Sequence, residues 1–413
     1  MLKKIIIVAF LFRVSIALLG EHGDVINYMW WSKDLVENGL RGFYDRSIAN
    51  AMPPTYPPAT SYVFWLTGYF HAILWKIMWF INLKVSIFPS NLIFWLESDK
   101  GWYFVNKLPS ILADVGIIAF MYKLVSSLKS KTKALFAAFL FAFNPVFWYN
   151  SSLWGQTDSI FALFLIASFY FLHKKKRNIS LILYLLSILT KPTAFFVAPV
   201  FLIFWIKDLK AAQLVKSVFL VLAVTFLLYF PFKPVNTIYW IVDFYVNSLG
   251  GELDYIVANS FNLWGLVFGF ENVSVNTKIL GVSSSMLGYL IFTISTAYIF
   301  FVWHFRKYKT ATMLVMSALV SFLAFAFLPM MHERYFYPVL LLLTPAAAIY
   351  KKERNVYYVL SLIHLINLYH FWWVPRIEML VVILSNRLVE ILLILVNFAI
   401  LYWYIRRFKK AYV

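Results

Sequence analysis

Residues 311–349 read ATMLVMSALVSFLAFAFLPMMHERYFYPVLLLLTPAAAI, and this stretch decides the class of fold. Two almost unbroken apolar runs lie on either side of a short polar cluster, His332-Glu333-Arg334. An apolar run of about 18 or more residues is long enough to cross the hydrocarbon core of a bilayer, which is about 30 Å thick. The stretch therefore predicts membrane-spanning helices near 311–329 and 335–350, with ionisable side chains between them.

Similar apolar runs recur along the whole chain. Of its 413 residues, 62% are apolar and 13% are charged, and the mean hydropathy is +0.76. Such a composition does not supply a water-facing surface, so a soluble domain is excluded. We predict an all-α polytopic membrane protein that forms a single domain over residues 1–413, with about twelve spans. They are placed near 4–20, 104–124, 134–149, 158–173, 179–190, 193–206, 216–232, 279–304, 311–329, 335–350, 355–373 and 387–405.

The formal net charge of +19 is explained by topology and does not indicate a nucleic-acid partner. When the apolar runs are threaded alternately through a bilayer, most Lys and Arg residues collect on one side, where only Asp208 and Glu353 are acidic. Basic loops mark the cytoplasmic side of a membrane protein. Both termini are therefore expected in the cytoplasm. Residues 1–20 are interpreted as a retained first span, because no clear signal-peptide cleavage site follows them.

Two outer segments, 21–103 and 233–278, are too long to be simple connectors and are the candidate working loops. Within the first, residues 60–80 and 85–96 are apolar and aromatic, so we expect interfacial or re-entrant helices there. The chain has no cysteine, which excludes disulfides, thiolate nucleophiles and cysteine-based metal sites.

Asp24 lies at the outer membrane surface directly after the first predicted span, ahead of a proline-rich loop that contains Tyr56. A carboxylate in such a place can act as a general base, taking the proton of an attacking hydroxyl. The alternative is that Asp24 caps the next helix, since Asp is a favoured N-cap residue.

His332, Glu333, Arg334 and Tyr335 form a second cluster, at the outer end of the span near 311–329. Polar clusters at membrane depth are costly and usually functional, and Arg together with His suits a phosphate leaving group. The alternative is an interfacial anchor in which Arg334 and Glu333 pair with each other while Tyr335 joins the aromatic belt.

A third cluster, Trp154-Gly-Gln156-Thr-Asp158, occupies the predicted outer turn between spans 134–149 and 158–173. Gln156 and Asp158 are candidates for hydrogen bonding to sugar hydroxyls above the face of Trp154. Taken alone, Asp158 fits the role of a helix cap better.

Two further ionisable residues fall within the apolar part of the sequence. Asp114 lies inside a predicted span and should face the bundle interior, where it either serves the site or pairs with Lys107 or Arg13. Lys191 lies at the Thr-Lys-Pro break between two short helices, where it either holds a phosphate or extends to the interface.

Soluble nucleotide donors are not expected, because the sequence has no P-loop, no dinucleotide fingerprint and no Asp-x-Asp pair. Glu252 and Asp254 in the late outer loop are a weak candidate pair for a divalent cation, with a solvated loop as the default interpretation.

Together, Gly23-Asp24, Tyr56-Pro-Pro58, Asp114, Trp154-Gly-Gln-Thr-Asp158 and His332-Glu-Arg-Tyr335 resemble the GT-C superfamily of membrane glycosyltransferases. The similarity is greatest to the mannosyl- and glucosyltransferases that use dolichyl or polyprenyl phosphate sugars. The order of the motifs agrees along nearly the whole chain. The apolar stretch 60–96 and the late loop 233–278 have no matching signature.

The resemblance implies an inverting transfer of a hexose, with mannose or glucose favoured, from a polyprenyl-phosphate donor to a lipid or glycan acceptor on the outer face. It implies that Asp24 is the base and that His332 and Arg334 flank the donor phosphate, while Tyr56, Gln156 and Asp158 shape the site. No metal or other cofactor is predicted, because the leaving group is a lipid monophosphate. The location would be the cell membrane, or the endoplasmic reticulum membrane in a eukaryote.

Two other classes of function remain open at this point. A transporter or flippase of lipid-linked glycans would share a cationic cavity and broken helices, but it calls for paired repeats that the sequence lacks. A purely structural membrane subunit would not need His332, Glu333 and Arg334 to cluster with distant acidic residues.

Overall fold

The computed structural model describes residues 1–207, 209–250, 254–304 and 309–411, and these are mostly helical. Nine helices precede the break at residue 191. They are α1 (Leu2–Ala17), α2 (Gly23–Asn38), α3 (Pro58–Lys84), α4 (Asn91–Glu97), α5 (Asp99–Leu128), α6 (Lys131–Phe143), α7 (Pro145–Trp148), α8 (Asp158–His173) and α9 (Arg177–Thr190).

Ten α-helices and four short strands follow in the described part of the chain after residue 191. The helices are α10 (Ala198–Ile206), α11 (Ala211–Tyr229), α12 (Thr237–Gly250), α13 (Leu263–Phe268), α14 (Ser284–His304), α15 (Thr310–Phe327), α16 (Tyr337–Ile349), α17 (Lys351–Tyr369), α18 (Glu378–Leu384) and α19 (Arg387–Ala411). The strands are β1 (Val257–Ala258), β2 (Lys278–Ile279), β3 (Val282–Ser283) and β4 (Met331–His332).

Among the described residues, five helices are long and apolar enough to cross a membrane: α5, α11, α14, α15 and α19. They match five of the predicted spans. Three further apolar segments are shorter, at 158–173, 177–190 and 192–206. The expected total of about twelve crossings and the cytoplasmic placement of both termini therefore stay predictions.

The centre of the molecule is formed by α15 and α16, the two helices of the stretch at 311–349. Every residue of α16 except Ile349 is buried, and 83% of the apolar window of α15 is covered by other parts of the protein. A helix that is apolar on all sides belongs in such a position. By contrast, only 6% of the window of α11 is covered, which is the exposure expected of a helix that faces lipid.

The first outer segment is more regular than its sequence indicated. Residues 58–84 form one continuous helix, α3, which packs against α2 and α5. Pro58 is its first residue, a position where a missing backbone N–H costs nothing. The short α4 follows, in the region predicted as 85–96. The placement of α3 in the interface stays a prediction.

The prediction of an all-α protein needs a small correction. Strand β1, from the late loop, pairs in parallel with β4, so that Val257 lies opposite Met331 and Ala258 opposite His332. Strands β2 and β3 form a separate antiparallel pair. The backbone around His332 has to be extended to leave α15 before it turns into α16, and β1 satisfies its hydrogen bonds. This pairing brings the late loop beside the polar cluster.

Helices α8 and α9 form an antiparallel pair that joins the two ends of the molecule. Helix α8 runs from Asp158 to His173, and α9 returns from Arg177 to Thr190. The predicted break follows, because Pro192 cannot continue the helix and favours extended backbone at Lys191. At about 1.5 Å per residue, the 16 residues of α8 place Asp158 and His173 about 24 Å apart.

Candidate active site

Asp24 is the second residue of α2, and it does not cap that helix. The cap is His22, whose Nδ1 lies 3.1 Å from the backbone nitrogen of Asp24 and accepts its hydrogen bond. The capping alternative for Asp24 is therefore wrong. Because His22 satisfies the helix terminus, the carboxylate of Asp24 is left to face the neighbouring turn at 149–158.

The two oxygens of the Asp24 carboxylate differ in their surroundings. Trp154 Nε1 donates to Oδ2 at 3.0 Å, the amide of Gln156 donates to the same oxygen, and His22 Nδ1 lies 3.1 Å from it. Oδ1 accepts no hydrogen bond from any residue that the structure describes, and 27% of the side-chain surface is exposed. One oxygen thus fixes the carboxylate in place while the other is available to a ligand.

The carboxylate of Asp24 stays ionised at neutral pH. Burial alone would raise its pKa, but the close contact with His22 and the positive charge of Arg334 lower the pKa well below the ordinary value. A negative charge is therefore held at the mouth of the site, close to a guanidinium group.

The turn at 149–158 has a conformation that only glycine suits at position 155. A π-helical segment, Tyr149–Trp154, ends at Gly155, which has φ +92°. A Cβ atom there would lie 2.5 Å from Val25 Cγ2 and 2.9 Å from Lys107 Cγ. The close approach lets the following residues point back towards α2, and this is how Gln156 reaches Asp24.

Gln156 links Asp24 to a pair of tyrosines. Its Oε1 accepts hydrogen bonds from Tyr28 and Tyr56, both at 3.3 Å, and the two phenol oxygens are 2.7 Å apart. Burial and the charge of Asp24 raise the pKa of Tyr56, which keeps its hydroxyl protonated. The tyrosine remains a hydrogen-bond donor beside the carboxylate.

The expected roles of three residues in the turn need correction. Trp154 is only 3% exposed and is covered by His22 and Trp372, at ring-centroid distances of 4.4 and 5.1 Å. Gln156 and Asp158 are completely buried. Because the turn folds inward, these side chains do not offer an open surface to a sugar. They position other groups instead.

Asp158 positions Lys191. The ammonium group of Lys191 lies 2.6 Å from Asp158 Oδ1, and Asn150 donates to Oδ2 of the same carboxylate at 3.1 Å. Asp158 is thus an ion-pair partner, not the cap of α8. The Lys191 side chain is 5% exposed, so it does not extend to the interface. It lies 5.9 Å from the ring centroids of both Tyr56 and Tyr335, between the two parts of the site.

The cluster at 332–335 stands on β4 and on the 3₁₀ turn Glu333–Phe336. Burial and the neighbouring Arg334 lower the pKa of His332 well below its usual value, so the imidazole is neutral. Burial alone would lower the pKa of Arg334, but the carboxylate of Asp24 raises it and the guanidinium stays charged. The site therefore contains one guanidinium that stays charged, that of Arg334, and one neutral imidazole, that of His332.

Pairing between Arg334 and Glu333 does not account for this cluster. Their closest contact is long, 3.5 Å from Arg334 Nη1 to Glu333 Oε1. Arg334 Nε and Glu333 Oε2 are buried without a hydrogen-bond partner among the described residues. Burial also raises the pKa of Glu333. Buried polar groups without partners are rare in folded proteins, and they favour a ligand site over a structural anchor.

Asp114 lies deeper than the rest and is completely buried. It pairs with Arg13 at 2.7 Å and accepts hydrogen bonds from Ser151 and Ser159, both at 2.6 Å. Of the two partners considered, Arg13 is therefore the one used, while Lys107 donates to backbone carbonyls. The pair ties α1 and α5 to the turn beneath the site.

Sequence reasoning missed His22, Tyr28 and Trp372. His22 had a local signal, because it stands two residues before Asp24 at the start of a helix. Tyr28 lies one helical turn after Asp24, on the same face of α2. Trp372 gave no signal, since it packs on His22 and Trp154 from a distant part of the chain.

The candidate cation pair in the late loop is not supported by a larger ligand set. Glu252 lies outside the described residues. Within the described ranges, no three His, Cys, Asp or Glu side chains are grouped closely enough to hold a metal ion. The absence of a metal cofactor stays a prediction.

Part of the sequence matches a known protein family. Residues 77–240 match the family of dolichyl-phosphate-mannose-protein mannosyltransferases. The resemblance inferred from the motifs is confirmed by this match. Asp114, the turn at 154–158 and Lys191 lie inside the matched stretch, whereas Asp24 and His332–Tyr335 lie outside it.

Two solved structures match the chain at low sequence identity. ArnT from Cupriavidus metallidurans, solved bound to undecaprenyl phosphate, is 12% identical, with a TM-score of 0.49 over 99% of this chain and 76% of that one. The archaeal oligosaccharyltransferase AglB from Archaeoglobus fulgidus, solved with an inhibitory peptide and dolichol-phosphate, is 13% identical. Its TM-score is 0.46, over 98% of this chain and 55% of that one. No curated protein sequence matches the chain.

Proposed function

We propose that this protein is an inverting membrane glycosyltransferase that transfers a hexose from a polyprenyl-phosphate donor to a lipid or glycan acceptor. The observation that carries the proposal is the Asp24 carboxylate, which is anchored through Oδ2 and has no partner at Oδ1 among the described residues, next to the guanidinium of Arg334. A fixed base beside a cation is what transfer from an anionic donor requires.

The donor phosphate is assigned to Arg334 and His332. Arg334 is charged, 15% exposed and only weakly paired with Glu333, so its guanidinium has donors to spare for phosphate oxygens. The neutral imidazole of His332 can donate one further hydrogen bond. Lys191 lies behind them as a second cation, but the charge of Asp158 offsets much of its own.

The acceptor hydroxyl is assigned to Asp24 Oδ1. As the hydroxyl oxygen forms a bond to the anomeric carbon, its proton passes to Asp24, and the bond between that carbon and the donor phosphate oxygen breaks. The polyprenyl phosphate leaves with the bonding electrons. Attack from the side opposite the leaving group inverts the configuration of the anomeric carbon. No step of this scheme needs a cofactor.

Donor binding also adjusts the strength of the base. In the free protein, the charge of Arg334 is one cause of the lowered pKa of Asp24. A bound phosphate offsets that charge, so the pKa of Asp24 moves back towards its ordinary value. A carboxylate with a higher pKa takes a proton more readily, and the base is therefore strengthened when the donor is in place.

The remaining details follow the resemblance. Mannose or glucose is the favoured sugar, and the reaction takes place on the outer or lumenal face of the cell membrane or the endoplasmic reticulum membrane. The match of residues 77–240 to a mannosyltransferase family supports mannose first. The exposed residues Lys131 and Lys351, at the starts of α6 and α17, support a cytoplasmic position for the opposite end of the molecule.

The test is a transfer assay with purified protein in detergent. Radiolabelled polyprenyl phosphate mannose or glucose is supplied with a lipid and glycan extract, and Arg334→Gln is compared with Arg376→Gln. Arg376 forms an exposed ion pair with Glu378, so it controls for the loss of a surface charge. We expect transfer by the wild type and by Arg376→Gln, and a raised donor KM for Arg334→Gln. No transfer in detergent, together with movement of intact donor across the membrane when the same protein is reconstituted in vesicles, would instead support a flippase.

A further inference from the structure

A second polar cavity lies at the end of the helices opposite to Asp24. It is an open cleft of about 830 Å³, bounded by the end of α8, the start of α9, the end of α10 and the start of α15. We name it the cationic cleft after the basic residues that line it, Lys175, Lys176, Arg177 and Lys207. Because α8 and α9 run between the two ends, about 24 Å separate the cleft from the candidate active site.

Three of the four basic residues of the cationic cleft, Lys175, Lys176 and Arg177, form no ion pair with any residue that the structure describes. None of the described residues that line it is acidic. Among the described residues, Lys175, Lys176 and Arg177 have no carboxylate within 4.0 Å, and Arg177 instead donates to the backbone oxygen of Lys207. Like charges held together without counter-charges destabilise a fold, so an anionic ligand would be stabilising here.

The backbone at the cleft points to the same kind of ligand. Lys176, Arg177, Asn178 and Ile179 are the cap and first three residues of α9, and all four line the cleft. No side chain caps this helix terminus, which leaves backbone N–H groups and the positive end of the helix dipole facing the cavity. These donors add to the cationic side chains.

One wall of the cleft is apolar. Leu172, Ile179, Phe204 and Met313 line it, beside the polar groups of Gln213 and Thr310. A site that combines several cations with an apolar wall at the membrane boundary suits a phosphate group attached to a hydrocarbon chain. A free phosphate would use the cations alone.

We propose that the cationic cleft binds a phosphate-bearing anion at the end of the molecule opposite to the candidate active site. Basic loops are common on the cytoplasmic side of membrane proteins, so basic composition alone would not distinguish this place. Lys129, Lys131 and Lys133 lie in the loop between α5 and α6 and in the first turn of α6, at the same end of the molecule, yet none of the three lines the cleft. The distinguishing feature is a concave site in which Lys175, Lys176 and Arg177 have no carboxylate partner among the described residues. The proposal does not depend on the proposed transferase activity.

The test compares two triple variants that lose the same charge. Lys175→Gln/Lys176→Gln/Arg177→Gln removes cations from the cleft, and Lys129→Gln/Lys131→Gln/Lys133→Gln removes them from the neighbouring loop. Native mass spectrometry measures binding of phosphatidylglycerol and of phosphatidylcholine to detergent-solubilised protein. A second arm adds inorganic phosphate as competitor. Thermal melting checks that both variants are folded.

We expect saturable binding of phosphatidylglycerol over phosphatidylcholine, weakened at least about tenfold in the cleft variant, since each basic residue near an anionic surface contributes about a factor of five. The loop variant should stay within about twofold of the wild type. Binding that inorganic phosphate displaces would assign the site to the phosphate group itself; binding that it does not displace would assign it to the whole lipid. Equal weakening in both variants, or no saturable binding in either arm, would overturn the proposal. If the triple variant does not fold, Lys175→Gln/Lys176→Gln, which changes exposed residues only, takes its place.

Discussion

At the scale of single residues, the candidate active site has two layers. Asp24, Tyr56, His332, Arg334 and Tyr335 are partly exposed and can meet a ligand. Behind them lies a buried layer that fixes their positions: Trp154, Gln156, Asp158, Lys191 and Glu333. The buried layer supplies hydrogen bonds and counter-charges, which is how a site keeps its geometry without contact with the substrate.

Gln156→Leu tests the role of the buried layer, because it changes a buried residue and leaves the exposed residues unchanged. It removes the amide that donates to Asp24 Oδ2, and the loss of a hydrogen bond to a charged group costs about 1.5–3 kcal/mol. The pKa of Asp24 should then rise. Since the base must be ionised, activity is lost as the pH falls through that pKa, and the acidic limb of kcat/KM should shift to higher pH. The rate at neutral pH should fall about tenfold.

The pH profile of transfer measures this shift, and Gln213→Leu, at the other end of the molecule, serves as the control. An unchanged acidic limb in Gln156→Leu would show that this hydrogen bond does not set the pKa of the catalytic group.

Much of the exposed layer was predictable from sequence, because charged residues next to long apolar runs are few. The inward orientation of Trp154, Gln156 and Asp158 was not predicted. A sequence shows that polar residues occur in an outer turn, but whether the turn faces outward or folds inward depends on tertiary contacts. Here Val25 and Lys107 pack against Gly155, and these contacts make the turn fold inward.

At the scale of elements, two irregular segments build the site. The π-helical turn at 149–154 points Gln156 back to α2, and the break after Thr190 places Lys191 in the interior. The break was evident from Pro192. The π-helical turn was not, since its extra residue per turn leaves no distinctive pattern in a short aromatic sequence.

Gly155→Ala should damage this turn severely. The positive φ and the close contacts with Val25 and Lys107 together predict a loss of about 2–4 kcal/mol in unfolding free energy. The matched control is Gly42→Ala, where φ is +74° but nothing lies within 4 Å of the added Cβ, so that about 1 kcal/mol is expected. Thermal unfolding in detergent measures both. Equal losses in the two variants would show that crowding at 155 is relieved without cost.

The short strand β1 also belongs to this scale. Its partner β4 carries His332, and Asn367 anchors the adjoining backbone by donating to the carbonyl of Asn259 and accepting from the amide of Phe261. The late loop had no recognisable signature in the sequence. Backbone pairing depends little on side-chain identity, and this explains why its link to the site was not foreseen.

At the scale of the whole molecule, the central question is orientation. Composition and hydropathy were sufficient to predict a helical membrane protein and to locate the five long apolar helices. They also located shorter helices such as α8 and α16, but not the burial of these helices, because a 13-residue segment such as α16 is apolar whether it is covered by protein or by lipid. Its burial by neighbouring helices is a tertiary property.

Single-cysteine labelling tests the orientation directly, because the chain has no cysteine of its own. Ser47→Cys is exposed near the candidate active site, and Thr132→Cys is exposed at the end with the basic loops. In intact cells, a membrane-impermeant maleimide should label Ser47→Cys and should reach Thr132→Cys only after permeabilisation. Labelling of both positions in intact cells, or of Thr132→Cys alone, would contradict the predicted topology.

The most direct test of the account is the transfer rate of Asp24→Asn. This variant keeps the size of the side chain but replaces the carboxylate by a neutral amide, which cannot accept the proton of the acceptor hydroxyl. We expect a fall of about 10²–10⁴ in kcat with an unchanged melting temperature. Glu37→Gln, which removes an exposed carboxylate from the same helix, should transfer sugar at the wild-type rate. Transfer by folded Asp24→Asn at a rate close to that of the wild type would contradict the assignment of Asp24 as the base.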